Sequence, residues 1–259
     1  MTLSTAGEMT VNPQDPEPVA ALAAAELSLL PAAELAGTRS PAREILSAAA
    51  IRIFDVVAAA CLLVILLPLV ALVAIAVRVE SPGPAFFRCE RVGHRGRRLR
   101  MLKFRKMSHQ ALGAALTTGE DARLTRLGRL LARLKIDEIP QLSHVLRGTM
   151  SLVGPRPEAA EFVGLHPQAY AEILSVRPGI TGLSQIAFAE EGSILDLNDP
   201  IEHYVSRILP QKVALDRLYV NRRSLSFNLR ILYWTAATVL LRRPVAVHRD
   251  TAKMNIRRR

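Results

Sequence analysis

Two short motifs hold the residues of this 259-residue chain that are best suited to chemistry. Residues 136–141 place Asp137 beside Glu138, and residues 151–157 place Arg156 between two prolines. Adjacent carboxylates can supply a nucleophile or a base, and an arginine fork can hold two oxygens of an anion. The two motifs together therefore predict acid chemistry on an anionic substrate.

The carboxylate pair is predicted to open a short amphipathic helix. Asp137 is a good N-cap residue, and Pro140 is tolerated only in a first turn. Apolar residues then recur at helical spacing up to Gly148, where a helix should end. At the positive end of the helix dipole a carboxylate stays ionised and backbone amides can bind phosphate. Asp137 is then a candidate nucleophile toward phosphorus; the alternative is that both acids only cap the helix.

A long apolar segment precedes these motifs. Residues 56–77 form a run of 22 residues without a charge. As a helix the run would be roughly 33 Å long, which is enough for a hydrocarbon core of about 30 Å. Pro68 lies in its middle and should kink it. The segment predicts membrane association, either as a single span or as a re-entrant helix broken at Pro68.

A basic stretch with a predicted β-hairpin follows the apolar segment. Residues 88–106 contain nine bases and one acid, and glycines at positions 93 and 96 favour a hairpin bend. Most of these bases are expected to hold anionic membrane lipid. Lys103 and Arg105 flank Phe104 at the end of the predicted strand. They are the candidates for binding a phosphorylated substrate.

The chain as a whole is predicted to be α+β and mostly helical. We expect a disordered tail over residues 1–45, a membrane re-entrant helix over 46–80, a catalytic domain over 81–243 and a basic tail over 244–259. Residues 229–241 are too few to span a bilayer, so we expect either an interfacial amphipathic helix or a buried core helix. Cys61 and Cys89 are too few for a disulfide framework or a zinc site.

Net charge narrows the classes of partner. The chain carries a formal charge of +11, which favours anionic partners such as lipid head groups, nucleotides or nucleic acid. A membrane-tethered nucleic-acid binder should show aromatic residues among its bases, yet Phe104 alone lies in the densest basic stretch. A non-enzymatic membrane scaffold needs only the apolar segment and the basic patch. Neither alternative requires Asp137, Glu138 or Arg156.

The chain resembles the bacterial sugar transferases, and more narrowly the monotopic phosphoglycosyl transferases that prime polysaccharide or glycan assembly. The resemblance runs in order from about residue 50 to 243. Besides the apolar run with its proline, the motifs that carry it are residues 52–55, 81–88, 103–107, 137–141, 151–157 and 177–183. The chain departs from the family at Leu67, where relatives often have serine, and over residues 183–190.

The resemblance implies transfer of a sugar-1-phosphate from a nucleotide sugar, usually a UDP-sugar, to polyprenyl phosphate, with release of UMP. Asp137 would be the nucleophile and would form a covalent phospho-sugar intermediate. Glu138 would bind Mg²⁺, with Asp137 as a second ligand, or accept a proton. Arg156 would hold phosphate oxygens, and Arg177 would either do the same or pair with an acid.

The resemblance also implies a location and partners. The apolar segment would be re-entrant, which places the active site on the cytoplasmic face of the bacterial inner membrane. The expected partners are the nucleotide sugar, polyprenyl phosphate, anionic membrane lipid and downstream glycosyltransferases, with no nucleic acid.

Overall fold

The computed structural model of the protein describes residues 41–108, 121–196, 198–240, 245–248 and 251–256. Its α-helices are α1 (Pro41–Glu80), α2 (Arg126–Arg133), α3 (Leu142–Leu146), α4 (Ala160–Val163), α5 (Pro167–Ile173), α6 (Leu183–Ala187), α7 (Glu191–Ile194), α8 (Pro200–His203), α9 (Leu209–Arg222) and α10 (Leu225–Leu240). Its strands are β1 (Phe86–Val92), β2 (Arg98–Phe104), β3 (Ser151–Val153), β4 (Gly179–Thr181), β5 (Val245–Val247) and β6 (Met254–Ile256). The prediction of a mostly helical α+β fold is confirmed.

Helix α1 is long and largely exposed along its apolar run. Within the described residues, Ile45–Glu80 is the one helix long and apolar enough to cross a membrane. The helix continues through Pro68, so the predicted break does not appear as an end of the helix. A proline can be accommodated in a helix by bending it rather than ending it. Re-entry into the membrane stays a prediction, and most of the predicted disordered tail lies outside the described residues.

Helix α1 is also part of the domain that follows it. Ile51 and Ala59 near its start are buried, and so are Val73 and Val77 near its end. Arg52 donates hydrogen bonds to the carbonyl oxygens of Val145 (2.7 Å) and Leu146 (3.0 Å), at the end of α3. The predicted boundary at residue 80 therefore does not divide two separate cores.

A second polar contact fixes α1 against β3. The buried carboxylate of Asp55 accepts a hydrogen bond from the Ser151 hydroxyl (2.6 Å) and another from the Leu152 amide (3.1 Å). A buried carboxylate is tolerated only when donors satisfy it, and these two donors do so. Asp55 therefore sets the position of α1 relative to the motif that begins at Ser151.

Strands β1 and β2 form the predicted hairpin. They pair antiparallel with Phe86 opposite Phe104 and Val92 opposite Arg98. The bend is a short 3₁₀ turn, His94–Gly96, in which Arg95 adopts a left-handed φ of 56°. The inner face of β2 carries Phe104, which is 1% exposed, so the hairpin packs into the core and places its neighbour Lys103 beside the carboxylate pair.

Strands β3 and β4 join two of the sequence motifs. They pair in parallel, with Ser151 beside Gly179 and Val153 beside Thr181. A Cβ on Gly179 would lie 2.0 Å from the Gly154 amide nitrogen, so the backbones approach closer than any side chain allows. Glycine at positions 154 and 179 thereby allows residues 177–183 to pack closely against residues 151–157, which include Arg156.

The C-terminal residues differ from the prediction of a basic tail. Strands β5 and β6 pair antiparallel, and Val245, Ala252 and Met254 are buried in the main core cluster. Each of these side chains removes apolar surface from water, which offsets the entropy of ordering the segment. The prediction is therefore wrong for residues 245–248 and 251–256.

Helix α10 combines the two alternatives left open for residues 229–241. Phe227 and Ile231 are buried against the core, while Leu229 is 46% exposed and Tyr233 is 68% exposed. The helix is therefore amphipathic, with one face in the core and an apolar face outside it. An exposed tyrosine beside Trp234 is typical of a helix at a membrane interface.

Candidate active site

A cavity of about 480 Å³ lies between α1, β2, α6, α9 and α10. One part is charged, and its ionisable lining residues are Arg91, Lys103, Lys106, Lys135, Glu138, Arg156, Glu158, Glu191 and Lys212. The other part is apolar and is lined by side chains from α1 and α10. The cavity thus offers an anion-binding end and a hydrocarbon end in one continuous space.

Glu138 lines this cavity, whereas its neighbour Asp137 is buried and is not among the lining residues. Both acids lie in a different local structure from the one predicted. Residues Ile136–Gln141 form a 3₁₀ helix that leads directly into α3. Its N-cap is Lys135, which adopts a left-handed φ of 56°, so Asp137 is not the N-cap. The predicted end of the helix is confirmed, since α3 ends at Leu146 and Gly148 has a φ of 78°.

Glu138 faces the cavity and is held by two cations. Its Oε1 atom lies 2.8 Å from Lys103 Nζ and 3.4 Å from Arg156 Nη2. Burial alone would raise the pKa of this carboxyl, but Lys103 and Arg156 hold it well below its usual range. Glu138 is therefore ionised, and it joins the two predicted motifs and β2 at one point.

Asp137 has the opposite electrostatic environment. It is 3% exposed, and its Oδ1 atom has no hydrogen-bond partner among the described residues. Burial and the neighbouring charge of Glu138 raise its pKa. The helix dipole therefore does not govern the ionisation of Asp137, because burial and a neighbouring carboxylate act against its charged form.

Two further lysines flank the carboxylates. Lys106 follows β2, Lys135 precedes the 3₁₀ helix, and both line the cavity. Burial lowers the pKa of each lysine, while the charges of Asp137 and Glu138 act in the opposite direction. Together with Lys103 and Arg156 they give this end of the cavity an excess of positive charge, which suits a phosphate or diphosphate.

Arg105 does not lie with these residues, and its predicted role is corrected. It is 6% exposed, and its guanidinium donates hydrogen bonds to the carbonyl oxygens of Val77 (3.2 Å) and Ser81 (2.7 Å). These carbonyls belong to the end of α1, where helical carbonyls lack partners within the helix. Arg105 therefore caps the end of α1, and it is not among the residues that line the cavity.

Arg177 is corrected in the same way. Its Nε donates to the carbonyl oxygen of Gly148 at 2.8 Å, and it is absent from the cavity lining. Among its described contacts, Arg177 thus binds a backbone carbonyl and not the acid of the second alternative. A guanidinium can donate to phosphate or to carbonyl oxygens alike, so the sequence could not tell that Arg105 and Arg177 would bind backbone carbonyls.

A second charged cluster also lines the cavity and was missed by sequence reasoning. Lys212 Nζ lies 2.6 Å from Glu158 Oε1 and 3.1 Å from Glu191 Oε2, and it donates to the Tyr204 hydroxyl at 2.7 Å. The sequence signal for this cluster was Glu158, an acid that directly follows Pro157 at the end of the predicted arginine motif. Lys212 sits within an amphipathic helix, where nothing in the local sequence distinguishes it.

Asp216 extends this cluster into the core. It is 2% exposed and accepts a hydrogen bond from the Ser184 hydroxyl at 2.7 Å. Burial raises its pKa to about 7, although the bond from Ser184 acts to lower it. Its protonation state therefore changes near neutral pH.

The carboxylates can be tested for their fit to Mg²⁺. The described residues contain no group of three or more His, Cys, Asp or Glu side chains that could hold a metal ion. A Mg²⁺ ion carried by a diphosphate needs only one or two protein carboxylates, because phosphate and water supply its other ligands. Asp137, with its unpartnered Oδ1, and Glu138 provide that number. The residues fit a substrate-borne Mg²⁺ and not a resident metal cage.

Comparison with known proteins agrees with this arrangement. Residues 46–242 match the model of the family described as "Bacterial sugar transferase". The chain belongs to the bacterial sugar transferase family. This membership makes the protein a transferase, as the resemblance implied, and the match ends just before the C-terminal hairpin β5–β6.

Relatives with assigned activities or processes each match more than two thirds of the chain. A UDP-glucose:undecaprenyl-phosphate glucose-1-phosphate transferase from Caulobacter vibrioides is 39% identical over 194 residues, which are 73% of this chain and 69% of that protein. An undecaprenyl-phosphate glucose phosphotransferase from Komagataeibacter xylinus is 39% identical over 71% of this chain and 34% of its own length. The exopolysaccharide production protein PSS from Rhizobium leguminosarum is 32% identical over 74% of this chain and 95% of that protein.

The chain therefore spans about two thirds of the first of these relatives, a third of the second and nearly all of the third.

Proposed function

We propose that this sugar transferase moves a sugar-1-phosphate from a nucleotide sugar, in the first instance a UDP-sugar, to undecaprenyl phosphate. The relatives from Caulobacter vibrioides and Komagataeibacter xylinus carry undecaprenyl phosphate in their names, and PSS is named for exopolysaccharide production. The product would be a polyprenyl-diphospho-sugar, which initiates polysaccharide synthesis and is consumed by downstream glycosyltransferases.

One observation carries this proposal: Glu138 lies 3.4 Å from Arg156 and 2.8 Å from Lys103 in a cavity that also opens on a membrane helix. Both substrates of the proposed reaction are anionic at the reacting phosphorus, and the four cations around the carboxylates can neutralise them. A planar arginine fork suits two phosphate oxygens, while lysines act as point charges.

The proposed reaction has two displacements at phosphorus. A carboxylate oxygen of Asp137 attacks the phosphorus that carries the sugar, and the bond to UMP breaks, so UMP leaves with the bridging oxygen. An oxygen of undecaprenyl phosphate then attacks the aspartyl phospho-sugar, and the Asp137 carboxylate is the leaving group. Splitting the reaction in this way replaces one difficult displacement between two phosphates by two easier ones.

The electrostatics support this division of roles. Glu138 is already committed to Lys103 and Arg156, whereas Asp137 has an unpartnered oxygen. Asp137 must be ionised to attack: burial and Glu138 raise its pKa, and the cations Lys103, Lys106 and Lys135 oppose that rise without cancelling it. Glu138 and Asp137 would hold Mg²⁺ when the diphosphate brings it, and the ion would neutralise charge on the leaving UMP.

The proposal places the cavity on the cytoplasmic face of the bacterial inner membrane. Both ends of α1 contact the same domain, through Arg52 near the start and through Arg105 at the end. A helix that spans the membrane would separate its two ends by the bilayer. This arrangement favours a re-entrant α1 with basic residues held against anionic lipid.

The direct test is formation of the covalent intermediate. Purified protein with Mg²⁺ and a panel of UDP-sugars, without lipid phosphate, should release one equivalent of UMP and gain the mass of a sugar phosphate on Asp137. Undecaprenyl phosphate should then discharge the adduct into the lipid product. Asp137→Asn should form no adduct, while Glu172→Gln, a surface acid paired with Arg217, should behave as the unsubstituted protein.

The contrary results are equally specific. If none of the UDP-sugars in the panel led to release of UMP, the proposed class of donor would be wrong. If the adduct still formed in Asp137→Asn, the proposed nucleophile would be wrong. If Glu138→Gln lost the adduct and Asp137→Asn kept it, Glu138 would be the nucleophile and Asp137 the assisting acid.

A further inference from the structure

The apolar end of the cavity is built from the two helices that carry exposed hydrophobic faces. Leu62 and Leu66 lie one turn apart on α1, and Leu232 and Val239 lie two turns apart on α10. Leu66 and Leu232 are partly buried against the core, whereas Leu62 is 41% exposed. The wall therefore leads from the interior of the domain to the outer surface of the apolar helix.

The polar atoms of this wall already have partners. Thr235 donates to the carbonyl oxygen of Ile231 at 2.9 Å and lies 2.7 Å from the Thr181 hydroxyl. Thr238 donates to the carbonyl oxygen of Trp234 at 2.8 Å. Hydroxyls engaged within the protein place no demand on a ligand, so this end of the cavity suits hydrocarbon better than a sugar or a base.

The same space reaches the cationic end without interruption. Ile139 and Leu142, which follow the carboxylate pair, line the cavity together with the α1 and α10 leucines. A ligand with an anionic head at Lys103, Lys106 and Lys135 would therefore place an attached chain against Leu66. Charge at one end and apolar surface at the other match an amphiphile rather than two separate small molecules.

We propose that the passage between α1 and α10 is the binding site for the isoprenoid chain of the lipid phosphate. The prenyl units next to the phosphate lie between Leu62 and Leu66 on one side and Leu232 and Val239 on the other. This inference rests on the proposed function for its choice of amphiphile. It adds the route by which the chain enters, sideways from the membrane and between two named helices.

Photocrosslinking tests the site without turnover. The full-length protein in phosphatidylethanolamine–phosphatidylglycerol nanodiscs is irradiated with a polyprenyl phosphate that carries a diazirine on the prenyl unit next to the phosphate. Adducts are expected on Leu62, Leu66, Leu232 or Val239. Undecaprenyl phosphate should suppress them, and added phosphatidylglycerol should not.

A matched pair of variants tests the passage itself. Leu66→Trp fills it and should weaken binding of undecaprenyl phosphate by about tenfold or more, a change of at least one decade in Kd. Ile65→Trp places the same side chain on the neighbouring position of α1, which is 70% exposed, and should bind as the unsubstituted protein does. Thermal unfolding of both variants checks that they are folded, and if Leu66→Trp is not, the adduct map of the unsubstituted protein decides.

Three results would overturn the inference: adducts confined to outward residues such as Ile65 and Ile75, equal competition by phosphatidylglycerol, or equal loss of binding in both tryptophan variants. These results are separate from failure of the proposed reaction. If the expected photocrosslinks formed but no UMP were released, the proposed chemistry would be refuted and the lipid site would be supported. If UMP were released but the photocrosslinks formed on other residues, only the proposed lipid site between α1 and α10 would be refuted.

Discussion

Asp137 and Glu138 are neighbours in sequence whose environments displace their pKa values in opposite directions. Lys103 and Arg156 hold the pKa of Glu138 down, while burial and the charge of Glu138 raise that of Asp137. Pairs of titratable groups with divergent pKa values are typical of sites in which each group has its own role. The pair is thus more than a helix cap, and the cap itself is provided by neither acid.

Asp216 gives a prediction about pH and stability. Its pKa is about 7 in the folded protein, well above the ordinary value of an aspartic acid, so ionising it opposes folding. Stability from this group is complete below about pH 4 and is lost as pH rises toward 7, by about 1.4 kcal/mol per pH unit. Asp216→Asn removes this slope, because the amide stays neutral.

The measurement is the free energy of unfolding of Asp216→Asn and of the unsubstituted protein in detergent at several pH values. The difference between the two should grow in favour of the variant from pH 4 to pH 7 and then level off. A constant difference over this range would show that Asp216 titrates normally.

Arg105 and Arg156 give a prediction that separates structural from substrate-binding arginines. Arg105→Met removes bonds to the carbonyls of Val77 and Ser81 and should lower the free energy of unfolding by about 2–3 kcal/mol. It should leave KM for the nucleotide sugar close to its original value. Arg156→Met should instead lower kcat/KM by about 100-fold, since one donor to a transferring phosphate is lost.

Steady-state kinetics and thermal unfolding of both variants make the comparison. A raised KM in Arg105→Met with unchanged stability would show that Arg105 binds substrate and does not stabilise α1. Unchanged kcat/KM in Arg156→Met would remove Arg156 from the site.

Sequence identified the residues that matter most but not the partners of each. The carboxylate pair, Lys103 and Arg156 were predicted from their types and neighbours, and the structure brings all four together. Lys212 was missed because its charge is meaningful only beside Glu158, which is 54 residues away in the chain. Residue type predicts what a side chain can do, and only the fold decides which groups it meets.

Among the elements, the parallel pair β3–β4 depends most on single residues. Gly179→Ala would place a Cβ 2.0 Å from the Gly154 nitrogen and 2.5 Å from the Thr181 oxygen, both of them backbone atoms. Backbone cannot move aside as a flexible side chain can, so we expect a loss of more than about 3 kcal/mol in unfolding free energy. The same change should disturb Arg156, which β3 supports.

Gly148→Ala is the control for this prediction. A Cβ on Gly148 would meet only the Arg52 guanidinium, at an ordinary contact distance of 3.4 Å, so the cost there comes from the φ of 78° and should be about 1–2 kcal/mol. Chemical denaturation of the two variants gives both numbers. A similar cost for both would show that β3 and β4 do not approach as closely as described.

The C-terminal hairpin gives a second prediction about elements. Met254→Ala should lower the free energy of unfolding by about 2–4 kcal/mol, because Met254 is 6% exposed within the main core. Ile256→Ala on the same strand should cost less than about 1 kcal/mol, since that side chain is 45% exposed. If both variants lost little and equally in free energy of unfolding, this segment would be a tail, as the sequence predicts, and not part of the core.

Elements with a strong local pattern were predictable, and those that depend on packing were not. The apolar helix and the hairpin β1–β2 have clear length and turn signals in the sequence. Strands β3 to β6 are three residues each, so no periodicity can develop in them. The 3₁₀ helix at Asp137 likewise depends on the left-handed Lys135, a conformation that nothing in a lysine side chain favours.

For the whole molecule, the position of α1 gives a topology prediction. In a background of Cys61→Ser and Cys89→Ser, single cysteines at Ser47 and Ser108 lie on either side of the apolar run. If α1 re-enters, both should resist a membrane-impermeant thiol reagent in intact cells and both should react in inverted vesicles. Opposite labelling of the two positions would establish a span and would contradict a common side for both ends of the helix.

The bond between Asp55 and Ser151 also has a consequence in time. The two residues are 96 positions apart, so the ribosome makes α1 long before the partners of its acid. At about 5–20 residues per second, roughly 5 to 20 s pass before β3 is synthesised. During that interval the nascent helix must keep Asp55 hydrated at the membrane surface, because burial without a donor is costly. Slow translation through residues 56–150 would therefore prolong a stage in which the helix is made and cannot yet dock.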